Sequence, residues 1–194
     1  MKKLLISASL AASVVLPSAA QAQAIPPAIV AVVDLERVTS ECTACKTATA
    51  ALRAQVQAYQ THENSLAAPL QSEQKSLQTA VDALKGAEPD AALKARINAF
   101  QTKQQNGAQD LQRQQDQIKR NQQYVQKQIA DKLGPIYSQV MQRRGANVMV
   151  EQGTTLATAS ALDATNDVLA ALNTSLPTIQ TTAPAAPANA QQGR

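Results

Sequence analysis

The fold is decided by the stretch around one break between two long helical segments. Residues 77–100 read LQTAVDALKGAEPDAALKARINAF. The segment 86–90, GAEPD, combines a glycine and a proline with two acidic residues. Glycine and proline are turn residues, and acidic side chains favour the first turn of a helix. This stretch therefore predicts a turn at 86–90 between two helices.

On both sides of that turn, apolar residues recur at separations of three, four and seven, which is the spacing of a coiled-coil seam. Two such seams joined by a short turn predict an antiparallel helical hairpin over residues 46–144. The seam residues are Leu52, Val56, Tyr59, Leu66, Leu70, Leu77, Val81 and Leu84 on the first helix, and Leu93, Ile97, Phe100, Leu111, Ile118, Val125, Ile129, Leu133, Ile136 and Val140 on the second.

The seam carries several flaws. Pro69 lies inside the first helix, where it predicts a kink because it removes a backbone hydrogen bond. Gln104 and Gly107 occupy seam positions of the second helix, and Gly134-Pro135 predicts another kink near its end. Polar and small residues in a seam favour flexibility over stability, so the middle of the arm should be weakly packed.

The segments that flank the hairpin have β character. The apolar, β-branched run 29–34 predicts a buried strand, followed by a helical turn at 35–38. Residues 147–151 and 154–159, separated by Gln-Gly, predict a β-hairpin. Residues 163–173 predict a short closing helix. The fold class is therefore mainly α, with a long hairpin arm projecting from a small β-rich body.

We assign this body to residues 25–45 and 145–173. The chain of 194 residues contains no Trp, one Phe and three Tyr, so a large aromatic core is not available. Narrow seams bury little area, which predicts an oligomer in which several bodies associate. Residues 174–194 are rich in Pro, Ala, Gln and Thr and predict a disordered tail.

The first residues have the features of a signal peptide. Lys2 and Lys3 precede a short apolar run, and small-x-small patterns place cleavage after residue 22 or residue 24. The apolar run is shorter than the roughly 20 residues of a membrane span. We therefore expect a signal peptide over 1–22, removed on export to a periplasm or beyond. No cysteine lies at either cleavage point, so we do not expect a lipoprotein anchor.

Charge is unevenly distributed along the chain. Residues 93–144 carry ten basic and three acidic side chains, whereas the segments flanking the hairpin are net acidic. A basic arm attracts acidic chains, anionic lipid or lipopolysaccharide, or nucleic acid, and the alternative is an ordinary solvated face. Export and the lack of stacking aromatics argue against nucleic acid. The candidate attracting residues are Lys94, Arg96, Lys103, Arg113, Lys119, Arg120 and Lys127.

No set of residues suggests catalysis, a cofactor or a metal. His62 is the only histidine, and we expect it to be exposed on the arm. Cys42 and Cys45 form a C-x-x-C pattern, which is typical of a redox motif, half of a zinc site or a disulfide. The second half of a zinc site is missing, and an oxidising compartment favours pairing. A structural disulfide is the preferred reading; free thiols and links between chains are the alternatives.

Four motifs occur along the chain in a fixed order: IVAVVDLERV at 29–38, LGPIY at 133–137, GANVMV at 145–150 and LDATNDVLAALN at 162–173. Together they resemble the OmpH/Skp periplasmic chaperones of Gram-negative bacteria. The resemblance covers 29–173, and the C-x-x-C pattern and the tail lie outside the family pattern. It implies a homotrimer whose helical arms enclose a cavity, where unfolded outer-membrane proteins are held without ATP before insertion.

The leading hypothesis is therefore a non-enzymatic periplasmic holdase. The alternatives are a structural coiled-coil protein that tethers parts of the envelope and a module that binds lipopolysaccharide or lipid. The predicted strands favour the chaperone, because a plain tether has no need of a shared β body.

Overall fold

A computed structural model describes residues 25–185. Two long helices dominate it, so the mainly helical class with a hairpin arm is confirmed. In chain order the elements are β1 (Val30–Val33), α1 (Leu35–Glu41), α2 (Thr43–Asp82), α3 (Ala91–Arg144), β2 (Val148–Glu151), two 3-10 turns (Gln152–Thr154 and Ser160–Leu162) and α4 (Thr165–Ser175).

The arm consists of α2 and α3, joined at its tip. Lys85 and Gly86 adopt positive φ angles of 49° and 96°, which reverses the chain. The Asp90 carboxylate then accepts a hydrogen bond of 2.7 Å from the backbone N–H of Leu93 and caps α3. At the base, α3 ends in Arg143 and Arg144, followed by Gly145 at a φ of 66°.

The base gathers both ends of the described chain. Strands β1 and β2 pair in parallel, with Val30 opposite Val148 and Val33 opposite Glu151. The edge of β1 that does not pair with β2 contacts the residue before α4. There the Ala164 N–H donates to the Val32 carbonyl over 2.8 Å. The core beneath is mostly helical, and its fully buried members include Val38, Val140, Val168 and Leu172.

The predicted β-hairpin of 147–151 with 154–159 is wrong. Residues 147–151 do contain β2, but its partner is β1, and residues 154–159 form no strand. Thr154 and Thr155 turn their hydroxyls onto the carbonyls of Glu151 and Gln152, each over 2.8 Å. Such local side-chain bonds compete with a β ladder and favour the observed turn.

The predicted disorder from residue 174 is also wrong as far as residue 185. Helix α4 continues to Ser175, Leu176 is buried, and Ile179 packs against the core. Residues 176–185, here called the tail segment, then lie along the lower arm. The prediction from composition gave too little weight to the apolar residues Leu176 and Ile179. The predicted signal peptide and residues 186–194 lie outside the described residues.

The helices run through both interior prolines, Pro69 in α2 and Pro135 in α3. None of the helices between residues 25 and 185 combines the length and apolar character needed to cross a bilayer.

Candidate binding surfaces of the arm

The predicted basic residues are distributed over several faces of α3, and four of the seven form exposed ion pairs. Such pairs contribute only about 0–1 kcal/mol each, so they leave the cations accessible to competing anions. The pairs are Lys94 with Glu88 (3.3 Å), Arg96 with Glu73 (3.0 Å), Arg113 with Asp110 (2.9 Å) and Lys127 with Asp131 (2.7 Å).

The other three basic residues have no acidic partner among residues 25–185. Lys103 lines a cavity in the middle of the arm, and Lys119 is exposed on α3. Arg120 donates through Nη2 to the side-chain oxygen of Gln117, while its Nε is buried without a hydrogen-bond partner in the described part of the chain.

Arg113, Arg120 and Lys127 recur every seven residues and therefore lie along one side of α3. We call these three residues the basic row. Each of them directly precedes an amide side chain, at Gln114, Asn121 and Gln128. We call those three residues the amide row. The two rows run side by side down the lower half of the arm.

The amide row borders a groove between α2 and α3 that holds the tail segment. Gln128 forms two hydrogen bonds with the backbone of Gln180, accepting from its N–H over 3.0 Å and donating to its carbonyl over 2.8 Å. Asn121 Oδ1 accepts from the Ala183 N–H over 2.8 Å. From α2, Gln55 donates to the Thr181 carbonyl over 3.1 Å.

The other side of the hairpin has a second groove, where Leu52 and Val56 of α2 face Val125 and Ile129 of α3. The cavity there has a volume of about 740 Å³. These residues belong to the predicted seam. The described chain leaves the groove open along one side of the lower arm.

In the middle of the arm, His62 bridges the two helices. Its Nε2 lies 3.0 Å from Asp110 Oδ2, and the side chains are 36% and 38% exposed. The prediction that His62 is simply exposed was therefore wrong, because α3 places a carboxylate opposite it. Hydrogen bonds from Arg113 and then from His62 lower the pKa of the Asp110 carboxyl.

Above this bridge, towards the tip of the arm, the seam is incomplete. Gly107 of α3 faces Leu66 of α2 without a side chain, and the two residues line a cavity of about 540 Å³ with His62 and Asp110. Gly107, the small seam residue noted in the sequence, thus lies beside a hollow in the arm, whereas Gln104 is exposed.

Cys42 and Cys45 lie at the junction of α1 and α2, where both are buried. Their Cα atoms are 5.1 Å apart, and the two side chains are arranged as a disulfide pair. Cys42 is also the N-cap of α2, because its sulfur accepts from the Cys45 N–H over 3.2 Å. The formation of the bond in the exported protein stays a prediction. No group of three or more metal-ligating side chains occurs within residues 25–185.

The base exposes apolar side chains that a closed monomer would cover. Ile29 is 53% exposed and Val148 is 38% exposed, side by side at the start of the parallel pair. Leu156 and Leu162 are exposed in the segment after β2.

Sequence reasoning missed Gln55, Asn121, Gln128 and Asp110 as members of these surfaces. The heptad spacing of the amides at 114, 121 and 128 was visible within the Gln-rich stretch. It identifies a face of α3, but the partner of that face is a segment that composition assigned to disorder.

A two-helix arm with open grooves, set on a small parallel sheet, is the architecture of a binding protein. The comparisons with known proteins agree. The model of the OmpH family, described as outer membrane protein (OmpH-like), matches residues 29–172. The chain belongs to this family, which supports a general role as a periplasmic chaperone.

A solved structure has the same fold. It is the crystal structure of an OmpH-like outer membrane chaperone from Caulobacter crescentus, which is 22% identical. The match has a TM-score of 0.65 and covers 80% of this chain and 90% of that one. No curated protein sequence matches this chain.

Proposed function

We propose that the protein is an ATP-independent holdase. It keeps unfolded outer-membrane proteins soluble in the periplasm, in a cavity between the arms of a homotrimer, until they are inserted. The observation that carries this proposal is the arm itself. It presents two long grooves and accessible cations, while the enclosed core is confined to the base. A holdase must bind many sequences and release them, which suits shallow, distributed contacts.

The exposed apolar residues of the base support association of several protomers. Ile29 and Val148 lie at the end of a sheet that has only two strands in the described chain. A two-stranded sheet is marginal by itself, and apolar side chains at its edge favour contact with another protomer. Association through the base would leave the arms free to surround a client.

The basic row supplies the long-range attraction. Unfolded acidic chains are drawn to clustered cations, and the attraction is screened over about 8 Å at physiological salt. Arg113 and Lys127 are exposed and only weakly paired, so they can exchange their intramolecular carboxylates for a client carboxylate, whereas Arg120 is half-buried. Contact with anionic lipid or lipopolysaccharide would use the same charges.

In the decisive experiment, a urea-unfolded outer-membrane β-barrel is diluted into buffer that contains one trimer of this protein per client molecule. Aggregation of the β-barrel is then measured. The holdase should suppress light scattering without ATP. Failure to suppress it at this ratio would remove the proposal. Binding to lipopolysaccharide without any effect on the client would instead favour the lipid-binding alternative.

A charge-matched comparison tests the basic row. We expect Arg113→Gln, Arg120→Gln and Lys127→Gln together to slow client capture at low salt and to flatten its salt dependence. The control is Lys46→Gln, Lys75→Gln and Lys132→Gln, which removes the same charge from exposed positions outside the row. Equal capture rates for both triple variants would show that only net charge matters.

A further inference from the structure

We propose that the groove beside the amide row is a site for polypeptide backbone, bound without regard to sequence, and that the tail segment occupies it until a client displaces it. The inference rests on the holdase function proposed above and deepens it. It names the contact surface, the part of the client that is recognised and the internal competitor.

The side-chain hydrogen bonds from the arm to the tail segment all go to its backbone atoms. Gln128, Asn121 and Gln55 bind the peptide N–H or carbonyl groups of three tail residues, and none of these four bonds involves a tail side chain. Every residue except proline presents the same donor and acceptor. A site of this kind therefore accepts many sequences, as a chaperone for unfolded chains requires.

The reading amides follow the course of the tail segment. Gln128 and Asn121 are separated by seven residues of helix, which span about 10.5 Å at roughly 1.5 Å each. They bind Gln180 and Ala183 in the same order up the arm, and the tail segment bends at Thr182 between these two residues. The two amides therefore bind backbone groups on both sides of the bend.

Asn121 is held in place by bonds within the arm as well as by the tail segment. Asn121 is only 4% exposed. It donates to Gln55 over 2.8 Å and accepts from Gln117 over 2.7 Å. These bonds fix the orientation of its amide, with Oδ1 directed at the Ala183 N–H. A fixed amide loses little side-chain entropy on binding, which favours a site over a chance surface contact.

The groove continues beyond the last tail contact. Thr182 borders an open cavity of about 570 Å³, which is also lined by Tyr59, Gln114 and Ile118. Gln114 is the next member of the amide row, seven residues above Asn121. A client longer than the tail segment can therefore gain contacts that the tail segment does not make.

Competition follows from this arrangement. The tail segment is tethered next to its site, so its effective concentration is high, on the order of millimolar for a short linker. Leu176 and Ile179 fix the start of the tail segment in the core, but within the groove it is held by a few neutral hydrogen bonds. The apparent affinity for a client is reduced by the fraction of groove that the tail segment occupies.

The first test uses full-length proteins with two prolines in the tail segment. Gln180→Pro with Ala183→Pro removes both tail N–H donors and leaves the groove intact. We expect the affinity for an unfolded β-barrel to rise roughly fivefold. The control, Thr178→Pro with Thr182→Pro, adds two prolines where the N–H groups form no hydrogen bond in the described chain, and should leave the affinity unchanged.

A second change shows whether the client uses the same groove. Adding Gln128→Ala to the variant with Gln180→Pro and Ala183→Pro should abolish the gain in client affinity. The client then loses the amide side chain that binds the Gln180 backbone in the wild type. Adding Gln123→Ala, an exposed glutamine of the same helix, should preserve it. No gain on tail release, or a gain insensitive to Gln128→Ala, would overturn the inference.

A peptide experiment separates this inference from the holdase proposal. Synthetic residues 176–185, a scrambled version and a version with N-methyl groups at the positions of Gln180 and Ala183 are added to the wild-type protein. Exchange of the Gln180 and Ala183 amides, measured by nuclear magnetic resonance, reports displacement of the tail segment.

The first two peptides should displace the tail segment equally, and the methylated one should fail. Displacement by the first peptide alone would show recognition of sequence, and displacement by none would show that the tail segment is only a structural strap. Either result overturns the inference. If peptides behave as expected while the β-barrel aggregates freely, the groove stands and the holdase function fails.

Discussion

At Gly107 the two helices of the arm pack incompletely. A Cβ atom there would lie 3.7 Å from Leu66 Cδ1, which is an ordinary van der Waals distance. The position therefore tolerates a side chain, yet the sequence has none. Glycine inside a helix costs about 0.5–1 kcal/mol relative to alanine, so the arm is softened where it borders a hollow.

We predict that Gly107→Ala stabilises the protein by about 1 kcal/mol and slows hydrogen exchange in the middle of the arm. Gly134→Ala is the matched control, because its Cβ would meet nothing within 4 Å. It should bring a similar gain from helix propensity without the local slowing around residue 107. Denaturant unfolding and hydrogen-exchange mass spectrometry measure the two effects. A loss of stability for Gly107→Ala would contradict the proposed softening.

Asp110 links the two arm helices through an acid-sensitive contact. Because hydrogen bonds from Arg113 and His62 lower its pKa in the folded state, the carboxylate favours folding above the ordinary value of 3.8. That contribution is lost as the pH falls through the lowered pKa. We expect wild type to be more stable than Asp110→Asn at pH 5, with the difference shrinking as the pH falls below 3.8.

Thermal unfolding followed by circular dichroism at several pH values measures this difference. Asp116→Asn, which removes a carboxylate of the same helix bonded to Gln112, is the control and should produce a smaller change at pH 5. A constant difference between wild type and Asp110→Asn across the range would show that the His62 contact does not depend on the ionised carboxylate.

Among the elements, the junction of α1 with α2 depends on the cysteine pair. We predict that mass spectrometry of the exported protein, without reductant, shows Cys42 linked to Cys45. A loop this small closes with little entropy, so the bond should fix the local angle and add less stability than a long-range disulfide. Two free thiols, or a bond between chains, would contradict the prediction. Cys42→Ser with Cys45→Ser provides the unlinked reference.

The hairpin elements show how much local sequence can predict. The heptad seam and the turn at 86–90 predicted α2 and α3, because helix periodicity, Asp90 as a cap and Gly145 as a terminator act within a few residues. The predicted β-hairpin of residues 147–151 with 154–159 also rested on local sequence, and it was wrong. The threonines of residues 154–158 have β propensity, but Thr154 and Thr155 bind their own backbone instead.

At the scale of the whole molecule, the base predicts an oligomer. We expect wild type to be a trimer by light scattering coupled to gel filtration. Ile29→Asp with Val148→Asp should dissociate it, because both side chains are exposed at one end of the sheet and would place charge in the interface. The control is Val81→Asp, near the arm tip, where the valine is 39% exposed. A monomeric wild type would contradict the prediction.

The sequence by itself determined the local architecture of this protein. Its seam, turn and caps defined a hairpin arm, and the motifs at its ends indicated the family. Each of these signals lies within one helix turn or one short segment, where backbone geometry and side-chain spacing are directly coupled.

Only the tertiary structure decided which distant segments meet. Parallel pairing of β1 with β2 joins residues more than a hundred positions apart, and the contact of Gln128 with Gln180 joins two segments that both looked merely polar. Glutamine amides bind any backbone equally well, so their partner is set by which groove the folded arm leaves open. The basic row was visible in the sequence, whereas the groove beside it exists only once α2 and α3 are packed.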